Sequence, residues 1–426
     1  MAGEWRERTL GELTENFDSV RVPVREADRR AGSYPYYGAS GIVDYVDGYL
    51  FDGEYLLIAE DGENLRTRQT PVAFMARGKF WVNNHAHIVR ANQEADTRFL
   101  MYALAASDIS GYLTGSTMPK LTQGNMNRIP ILAPPPNEQR AIAHILGTLD
   151  DKIELNRRMN ETLEAMARAL FKSWFVDFDP VRAKAERRDP GLPQPFADLF
   201  PAHLVDSELG EIPEGWEVKP LSECVDVARG LSYKGSGLSK GGMPMHNLNS
   251  IYEGGGYKHD GLKYYDGDYR PQHVARAGDL IVANTEQGHD RLLIGYAAIV
   301  PSRFRTRSLF SHHIYRVRTE GQSALTPDYL CHLLNTSVMH DVVSGYANGT
   351  TVNMLPIDGL QTPLILVPPA RAIATFSGIA EAARMRHEEM IEESRTLAAL
   401  RDTLLPKLIS GNLRVKDADR FIEVTT

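Results

Sequence analysis

Two close pairs of histidines are the residues whose type and spacing most readily suggest chemistry in this chain. They are His85 with His87, and His312 with His313. Closely spaced histidines can bind a metal ion, but no HExxH or CxxC pattern supplies further ligands at the spacing that a zinc site uses. An ordinary polar role is the favoured interpretation, and we expect no metal site.

Other stretches that resemble catalytic motifs have simpler interpretations. Asp150, Asp151 and Lys152 imitate the end of a nuclease motif, but their surroundings predict a helix surface. The stretches "GSYPYYGASG" and "RGLSYKGSGLSK" are rich in glycine without the spacing of a phosphate-binding loop, so they predict turns. In "APPPNEQ", Ala133 stands where the signature of an amino-methyltransferase has a polar residue. With no catalytic constellation, we expect a recognition or scaffold component and not an enzyme.

Composition narrows the class of protein further. A chain of 426 residues with 42% apolar and 24% charged residues suits two or three folded domains. No apolar run reaches the roughly 18 residues that a membrane span needs. The two cysteines, Cys224 and Cys331, form no CxxC pair, so neither disulfides nor a cysteine zinc site is expected. These features predict a cytoplasmic protein with no membrane association.

The net charge of −8 does not by itself indicate nucleic-acid binding. Residues 1–137 carry a net charge of −3, and residues 211–370 carry −2. Any contact with DNA must therefore come from a local face and not from bulk charge.

A long internal repeat is the most informative feature of the sequence. "ILAPPPNEQRAIAHIL" corresponds to "LILVPPARAIATFSGI", and "ETLEAMARALFK" corresponds to "RTLAALRDTLLP", both at an offset of 234 residues. Near the start of each copy, Trp5 corresponds to Trp216 at an offset of 211. The second copy therefore carries 23 extra residues (234 − 211), which we expect in loops. The chain is predicted to be a duplication of a globular part followed by a helix.

Both helices show a sevenfold apolar pattern that is typical of coiled-coil partners. The predicted first seam is Ile142, Ile145, Leu149, Lys152, Asn156, Met159, Leu163, Met166, Leu170 and Ser173. The predicted second seam is Phe376, Ile379, Ala383, Arg386, Met390, Glu393, Leu397, Leu400, Leu404 and Lys407. Asn156 is interpreted either as a polar residue that fixes the register or as a solvated gap.

Three features together lead to a known family. They are the boundary "PPNEQRAIA" (Pro135–Ala143) with the long helix after it, the knot "FKSWFVDFDPVRAK" from Phe171, and the second, degenerate copy of this arrangement. Over essentially its whole length, the chain resembles the specificity subunit of type I restriction–modification enzymes. The resemblance implies that each globular part is a target-recognition domain that reads one half of a bipartite target in double-stranded DNA. Because the two domains share little sequence, an asymmetric target is expected.

The resemblance also implies partners. The long helices would set the gap between the half-sites and dock two modification (methyltransferase) subunits, which recruit the restriction (translocase-nuclease) subunits. This chain would hold no cofactor, since S-adenosylmethionine, ATP and Mg²⁺ would belong to the partner subunits. A coiled-coil scaffold whose globular domains bind proteins is the alternative, and the acidic balance favours it slightly.

The predicted fold is therefore α+β, with two pseudo-repeated target-recognition domains of mixed sheet and short helices. Two long antiparallel coiled-coil helices join them. The predicted bounds are 1–136 for domain 1, 137–180 for helix 1, 181–210 for a charged and proline-rich connector, 211–370 for domain 2, 371–411 for helix 2 and 412–426 for a tail. Trp174, Phe175 and Phe178 at the knot are predicted to form a local core, a docking surface for a methyltransferase subunit, or both.

The predicted DNA-binding residues are polar and basic side chains in probable loops and strand ends. Two loops before the long helices, "GSTMPK" and "NGTTVN", place small hydroxyl residues on a glycine turn that could approach a phosphate, although a plain turn is the alternative. In the first domain the predicted residues are Tyr37, Ser40, Arg66, Arg68, Lys79, Asn83, Asn84, His85, Ser116, Thr117 and Lys120. In the second they are Tyr233, Lys234, Arg303, Arg305, Arg307, His312, His313, Asn348, Thr350 and Thr351.

Overall fold

Two structural units divide the chain, and each contains part of both long helices. The computed structural model describes residues 5–287, 290–319, 323–349 and 352–415. Unit 1 consists of Met1–Asn156 and Glu392–Thr426, and unit 2 consists of Arg157–Ile391. The first and last parts of the chain therefore belong to the same unit.

Unit 1 is built on a sheet with short helices around it. Its strands are β1 (Arg6–Thr9), β2 (Thr14–Asn16), β3 (Ala31–Gly38), β4 (Gly41–Val46), β5 (Phe51–Ala59), β6 (Ala73–Val82), β7 (Ala86–Ala91) and β8 (Pro130–Ala133). Its helices are α1 (Leu10–Leu13), α2 (Asn64–Thr67), α3 (Thr97–Ala106) and α4 (Gln123–Asn127), and α5 (Pro136–Phe175) begins here. Six strands form one sheet in the order β2-β7-β5-β6-β3-β4, while β1 pairs with β8.

The core of unit 1 lies between this sheet, α3 and the long helices. Leu10, Phe99 and Leu146 are fully buried there. Leu404 and Leu408, from the end of the second long helix, are fully buried in the same cluster. The end of that helix thus completes the core of the first copy.

Unit 2 follows the same plan with more strands. Its strands are β9 (Leu204–Ser207), β10 (Gly210–Pro213), β11 (Glu217–Pro220), β12 (Val225–Arg229), β13 (Leu238–Ser239), β14 (Met243–His246), β15 (Lys263–Tyr265), β16 (Val274–Ala275), β17 (Leu280–Ala283), β18 (Thr285–Gln287), β19 (Ala297–Ile299), β20 (Ser308–Phe310), β21 (Ile314–Thr319), β22 (Val352–Met354) and β23 (Leu364–Val367). Its helices are α6 (Asp179–Ala185), α7 (Gln194–Ala197), α8 (Pro327–Leu334), α9 (Ser337–Gly345), α10 (Ile357–Gln361) and α11 (Ala370–Ile409), the last of which continues into unit 1. The larger sheets have the orders β12-β21-β17-β19 and β13-β15-β14-β20-β16.

The sequence repeat is also a repeat of strand pairings. Arg6 of β1 pairs with Ala133 of β8, and Glu217 of β11 pairs with Val367 of β23, at the predicted offsets of 211 and 234. The cap of the helix that follows the sheet is repeated as well, because Asp96 and Thr326 each accept a hydrogen bond from the backbone three residues later. The predicted duplication and the α+β class are confirmed.

The pairings also place the extra residues of the second copy. The offset is 211 between β2 and β12, 224 between β5 and β17, and 228 between β7 and β21. Of the 23 extra residues, 13 therefore lie between β12 and β17, 4 between β17 and β21, and 6 after β21. We expected them in loops, but the largest insertion falls in a segment that also contains β13 to β16.

The long helices have equal length and pair antiparallel within each unit. Both α5 and α11 contain 40 residues, and their first residues are 234 apart. In unit 1, Asp150 forms an ion pair of 2.8 Å with Arg401. In unit 2, a carboxylate oxygen of Glu164 lies 3.1 Å from Nδ1 of His387. α5 begins on Pro136, where the fixed φ of proline suits the first turn.

Each predicted seam uses two positions of the heptad, and the second of these positions is displaced by one residue in the structure. Met166, predicted in the seam, is 63% exposed, whereas Ala167 is buried. On α11, Ile379 is 38% exposed, whereas Ala380 is buried. The predicted seam used the residue three positions after Ile142 and after each of its heptad equivalents. In the structure the buried residue lies four positions after them. A small alanine in the seam lets two helices approach closely, so the larger methionine is left outside.

Asn156 is fully buried in the helix pair, which excludes the solvated gap. Its side-chain amide donates to Glu393 at 2.8 Å and to Ser394 at 3.2 Å. A buried amide with specific partners stabilises one register over others, so the register interpretation is the one that the contacts support.

The aromatic knot is a core of unit 2. Trp174, Phe175 and Phe178 are 1%, 6% and 8% exposed. Phe175 and Phe178 pack against Trp216 with ring centroids 5.9 and 5.8 Å away. Their burial confirms the predicted local core, while the predicted docking role of this region stays a prediction.

The predicted connector also differs from expectation. Its charges and prolines were expected to resist a core, but Val181 and Ala183 on α6 are buried and Phe200 joins the knot. The apolar residues on one side of α6 explain this difference, because they cover the knot while the charged residues stay outside.

In unit 1 the segment after α11 covers Trp5. Gly411 adopts the left-handed conformation (φ +75°) that glycine favours, and a Cβ added there would lie 3.5 Å from the indole ring. Trp5 donates to Glu138 at 3.3 Å, and Arg414 donates to the same carboxylate at 2.9 Å. Elsewhere, Cys224 and Cys331 are buried free thiols. No helix in the described part of the chain combines the length and the apolar character of a bilayer crossing.

Candidate nucleic-acid interface

Backbone hydrogen bonds at the end of β5 build the candidate site of unit 1. Glu60, directly after β5, donates its N–H to the carbonyl of His85 at 2.9 Å. Leu121 donates its N–H to the carbonyl of Glu60 at 2.8 Å. These bonds tie residues 114–121, which we call loop 1, to the edge of the sheet.

Loop 1 is a tight turn that exposes its tip. Thr114 and Lys120 exchange backbone hydrogen bonds of 2.8 and 2.7 Å. Gly115 has a φ of +87°, and a Cβ there would lie 2.2 Å from the carbonyl oxygen of Met118, so only glycine fits. Ser116 and Thr117 are exposed at the tip.

Several predicted residues of the first domain meet around loop 1. Arg66 donates to the carbonyls of Gly115 and Ser116 at 3.0 and 3.3 Å. Lys120 forms an ion pair of 3.2 Å with Glu60. The His85 ring lies 2.9 Å from Asp61, on the turn that also holds Asn83 and Asn84. The predicted residues brought together are Arg66, Asn83, Asn84, His85, Ser116, Thr117 and Lys120.

The other predicted residues of this domain lie apart from loop 1 or inside the fold. Tyr37 accepts the N–H of Asn83 on its carbonyl at 3.0 Å, but its ring packs against Phe74 and Phe80. The remaining three are exposed or partly exposed. Ser40 is on the β3–β4 turn, Arg68 donates to the carbonyl of Ala105 at 3.2 Å, and Lys79 lies over the ring of Tyr49 at 4.6 Å.

Unit 2 repeats the construction of loop 1. Asn284 donates its N–H to the carbonyl of His313 at 3.1 Å, and Leu355 donates to the carbonyl of Asn284 at 2.8 Å. Asn348 and Met354 exchange backbone bonds of 3.0 and 2.9 Å. We call residues 348–355 loop 2, and Asn348 is exposed at its start. Thr350 and Thr351 lie outside the described residues.

Aromatic and basic groups lie next to the base of loop 2. Tyr233 accepts a hydrogen bond from Lys263 at 2.7 Å, and its ring centroid is 6.1 Å from that of His312. The His312 and His313 rings are 3.8 Å apart. Burial, and then the neighbouring charges of His312 and Lys263, lower the pKa of His313, which favours a neutral ring at neutral pH.

The basic segment of the second domain has other contacts. Arg303 donates to the carbonyl of His259 at 3.2 Å and lies over the ring of Phe304 at 4.9 Å. Arg305 and Arg307 are exposed on the same segment, and Lys234 is exposed beside Tyr233. These contacts of Arg303 do not connect it to the residues around loop 2.

Sequence reasoning missed the acids and amides behind the loops. Glu60, Asp61 and Asn284 hold the loops or orient a predicted residue, and Lys263 orients Tyr233. The signal was present, because "AEDG" and "ANTEQG" both follow an apolar strand at matching places of the repeat. Exposed hydroxyls and a lysine on loop 1, and an exposed amide at the start of loop 2, can donate to phosphates and contact base edges.

Comparisons with known proteins agree on one family. Residues 2–165 match the family described as the type I restriction modification DNA specificity domain. Over 146 residues the chain is 39% identical to a putative type I restriction enzyme specificity subunit of Haemophilus influenzae, a match that spans 34% of this chain and 37% of that one. It is 23% identical over 449 residues to the specificity subunit of the type I restriction enzyme MjaIX of Methanocaldococcus jannaschii, with 97% of each chain covered.

A solved structure shares the fold. The S subunit of a type I restriction–modification system from M. genitalium matches with a TM-score of 0.64 at 14% identity, covering 95% of this chain and 96% of that one. At this identity the match concerns the fold alone.

Proposed function

We propose that this chain, which is similar to the specificity subunits of type I restriction–modification enzymes, is the non-catalytic subunit that recognises the DNA target of such a complex. Its target is a bipartite sequence in double-stranded DNA, with one half read by each recognition domain. The similarities do not support the alternative of a scaffold whose domains bind other proteins.

The repeated loop is the observation that carries this proposal. Loop 1 and loop 2 are closed by the same backbone bonds, and both are tied to the strand that ends at Ala59 in one copy and Ala283 in the other. Equivalent positions differ in chemistry, since Lys120 corresponds to Met354. A common frame with different side chains suits two half-sites of different sequence, so the target is asymmetric.

The long helices fix the gap between the half-sites in this proposal. α5 and α11 each continue from one unit into the other, and antiparallel contacts in both units resist sliding. Two recognition modules on a fixed frame select half-sites at one spacing.

Partner subunits supply the chemistry. Two methyltransferase subunits bind S-adenosylmethionine, and restriction subunits use ATP and Mg²⁺, while this chain holds no cofactor. The complex acts in the cytoplasm, where it meets chromosomal and invading DNA.

Partner docking in this proposal includes the exposed side of α5, next to the knot. A shallow groove there is lined by Arg158, Glu161, Thr162, Ala165, Met166 and Ala169. Met166, at 63% exposed, offers an apolar contact between charged residues, which is the pattern of a protein interface.

Methylome sequencing tests the proposal. The full chain is co-expressed with the methyltransferase encoded beside it, and modified bases are mapped in the host. We expect one split motif, with two short defined halves around a gap of fixed length. Methylation that persists unchanged when this chain is deleted would contradict the proposal. A variant with substitutions only in loop 1 should change one half of the motif and leave the other half intact.

A further inference from the structure

His87 lies behind loop 1 with both ring nitrogens facing acceptors. The side chain is buried, at 1% exposed. Nδ1 is 2.5 Å from a carboxylate oxygen of Asp18, and Nε2 is 2.7 Å from the carbonyl oxygen of Leu121 in loop 1. Burial raises the pKa of Asp18, but hydrogen bonds with His87 and the Ile88 N–H outweigh it and lower that pKa, so the carboxylate is ionised and accepts. The carbonyl can only accept as well, so both nitrogens carry a proton and the ring that satisfies this geometry is the imidazolium cation.

The charged groups around His87 come from three segments of unit 1, which contain Asp18 and Arg21, Glu60, and Lys120. Glu60 lies 3.8 Å from Nδ1. Arg21 bridges Asp18 at 3.6 Å and Glu60 at 2.8 Å. Lys120 of loop 1 contacts the same Glu60 at 3.2 Å. The imidazolium is therefore one cation in a network of two carboxylates and two further cations that ends in loop 1.

Burial and the neighbouring acceptors act in opposite directions on the pKa of His87. Burial lowers the pKa, but the hydrogen bonds to Asp18 and Leu121 and the charges of Asp18 and Glu60 outweigh it, so the pKa of His87 is raised above its ordinary value. Loss of the proton would leave one N–H for two acceptors. The carboxylate is the stronger acceptor, so the carbonyl of Leu121 would lose its donor.

The second copy makes the same contact with a group that does not titrate near neutral pH. Tyr315 occupies the position of His87, because Ile58 pairs with His87 and Val282 pairs with Tyr315 in equivalent strands. Its hydroxyl donates to the carbonyl of Leu355 in loop 2 at 2.7 Å. Tyr315 is 3% exposed, and burial raises its pKa, so the hydroxyl keeps its proton.

We propose that His87 and Tyr315 are positioning residues that hold the two DNA-reading loops, and that only the first depends on a proton. Loop 1 is then held firmly at acidic to neutral pH and loosens as the pH rises, while loop 2 is held at every physiological pH. Reading of one half-site becomes pH-dependent and reading of the other does not. The consequence for DNA rests on the proposed function, whereas the difference between the loops does not.

Hydrogen exchange of the full chain tests the difference without DNA. Protection of the Leu121 and Leu355 amides is compared at about pH 6 and about pH 9, with correction for the intrinsic exchange rate. We expect protection in loop 1 to fall about tenfold relative to loop 2, the effect of one lost hydrogen bond. Equal behaviour of the two loops across this range would overturn the proposal.

The repeat supplies matched variants. His87→Tyr gives loop 1 the group used by the second copy and should remove the pH difference between the loops. Tyr315→Phe removes the equivalent donor from loop 2 and should lower its protection equally at both pH values. If His87→Tyr does not fold, as judged by loss of its thermal transition, His87→Gln provides a smaller donor that does not titrate. A pH difference that survives in the folded non-titrating variant would exclude His87 as its source.

A second readout links the loops to DNA. The chain assembled with its methyltransferase is titrated with a duplex that carries the mapped motif, and with duplexes in which one half is scrambled. We expect the preference for the first half-site, and not for the second, to weaken from about pH 6 to about pH 9. Absence of any DNA binding would reject the proposed function and leave the exchange result standing. Binding with equal pH dependence for both halves would reject the inference alone.

Discussion

Arg98 on α3 donates two hydrogen bonds to Asp151 on α5, at 2.5 and 3.0 Å. In unit 2 the equivalent helices make this contact with the charges exchanged, because Asp328 on α8 accepts from Arg384 on α11 at 3.0 and 3.3 Å. At this contact each recognition domain thus carries the charge opposite to that of its own long helix. The first domain moved to α11 would place Arg98 against Arg384, and the second moved to α5 would place Asp328 against Asp151.

We predict that the pair in unit 2 is the more important for stability. Asp328 is 8% and Arg384 22% exposed by side chain, whereas Asp151 is 57% exposed. Asp328→Ala should destabilise the chain by about 3 kcal/mol, because it leaves a buried arginine without this partner. Asp151→Ala should cost about 1 kcal/mol or less, since water screens the exposed pair. Denaturant unfolding of both variants measures the difference, and equal effects would contradict it.

Charge exchange within a pair provides the complementary test. Asp328→Arg should weaken unit 2 more than Asp328→Ala does, and Asp328→Arg with Arg384→Asp should recover part of the loss. If the free energy of unfolding of the double variant is no higher than the summed effects of the two single variants predict, the charges do not interact.

Substitutions at Trp174 and at Met166 should distinguish an effect on folding from an effect on partner binding. Trp174→Ala is expected to lower the free energy of unfolding by about 3 to 5 kcal/mol, because the indole is fully buried in the knot. Met166→Ala should leave the Tm within error, since the side chain is exposed, and should weaken binding of the methyltransferase subunit. Thermal unfolding and size-exclusion chromatography of co-expressed subunits measure the two effects. Normal assembly with Met166→Ala would remove this face of α5 from the docking surface.

Lys120 is predicted to contact a DNA phosphate. Lys120→Ala should weaken binding to many sequences alike and reduce the slope of log affinity against log salt by about one. Arg140→Ala, on an exposed site of α5, is the matched control for the loss of one positive charge. Fluorescence anisotropy of the assembled complex at several salt concentrations checks both variants. A slope unchanged by Lys120→Ala, or changed equally by Arg140→Ala, would contradict the assignment.

Acid should destabilise unit 2 through His246. Burial, with a smaller effect of Arg303, lowers the pKa of this residue to about 3. Its ring nitrogens lie 2.9 Å from the Tyr257 hydroxyl and 2.8 Å from the Ser308 hydroxyl, which suits a neutral ring. Below the unfolded pKa of about 6.5 the unfolded chain binds a proton that the folded chain refuses, so stability falls by about 1.4 kcal/mol per pH unit.

The variant His246→Gln should remove that part of the acid dependence. Stability is measured by denaturant unfolding between about pH 7 and about pH 4. The sign is opposite for His87, whose raised pKa contributes stability that is present below about pH 6.5 and is lost as the pH rises through the folded value. An unchanged acid slope in His246→Gln would assign the effect to other groups, such as His259.

The sequence was sufficient to predict the repeat, because Trp5 and the proline boundaries mark equivalent strand pairs at the offsets that the structure shows. It also predicted the turns of loop 1 and loop 2, since glycine and small hydroxyl residues stand there in both copies. The seam was misjudged where Met166 and Ala167 compete, because hydrophobicity favours methionine and close packing favours alanine. A pattern of apolar residues alone does not decide between them.

Contacts between distant residues were not predictable. His87 meets Asp18 and Leu121, which are 69 and 34 residues away in the sequence. An acid just after β2 and a carbonyl in loop 1 become neighbours only once the strands are paired. The same applies to the knot, where Trp216 closes over Phe175 and Phe178.

The division of the chain has a consequence for its synthesis on the ribosome. Unit 2 is one continuous segment, but the core of unit 1 contains Leu404 and Leu408 from the last part of α11. The first recognition domain to leave the ribosome therefore waits for some of the last residues to be translated, and the domain made second can complete its core first. Chains interrupted before α11 is finished would display an open first domain to chaperones and proteases, so translation through α11 is needed before both recognition domains are closed.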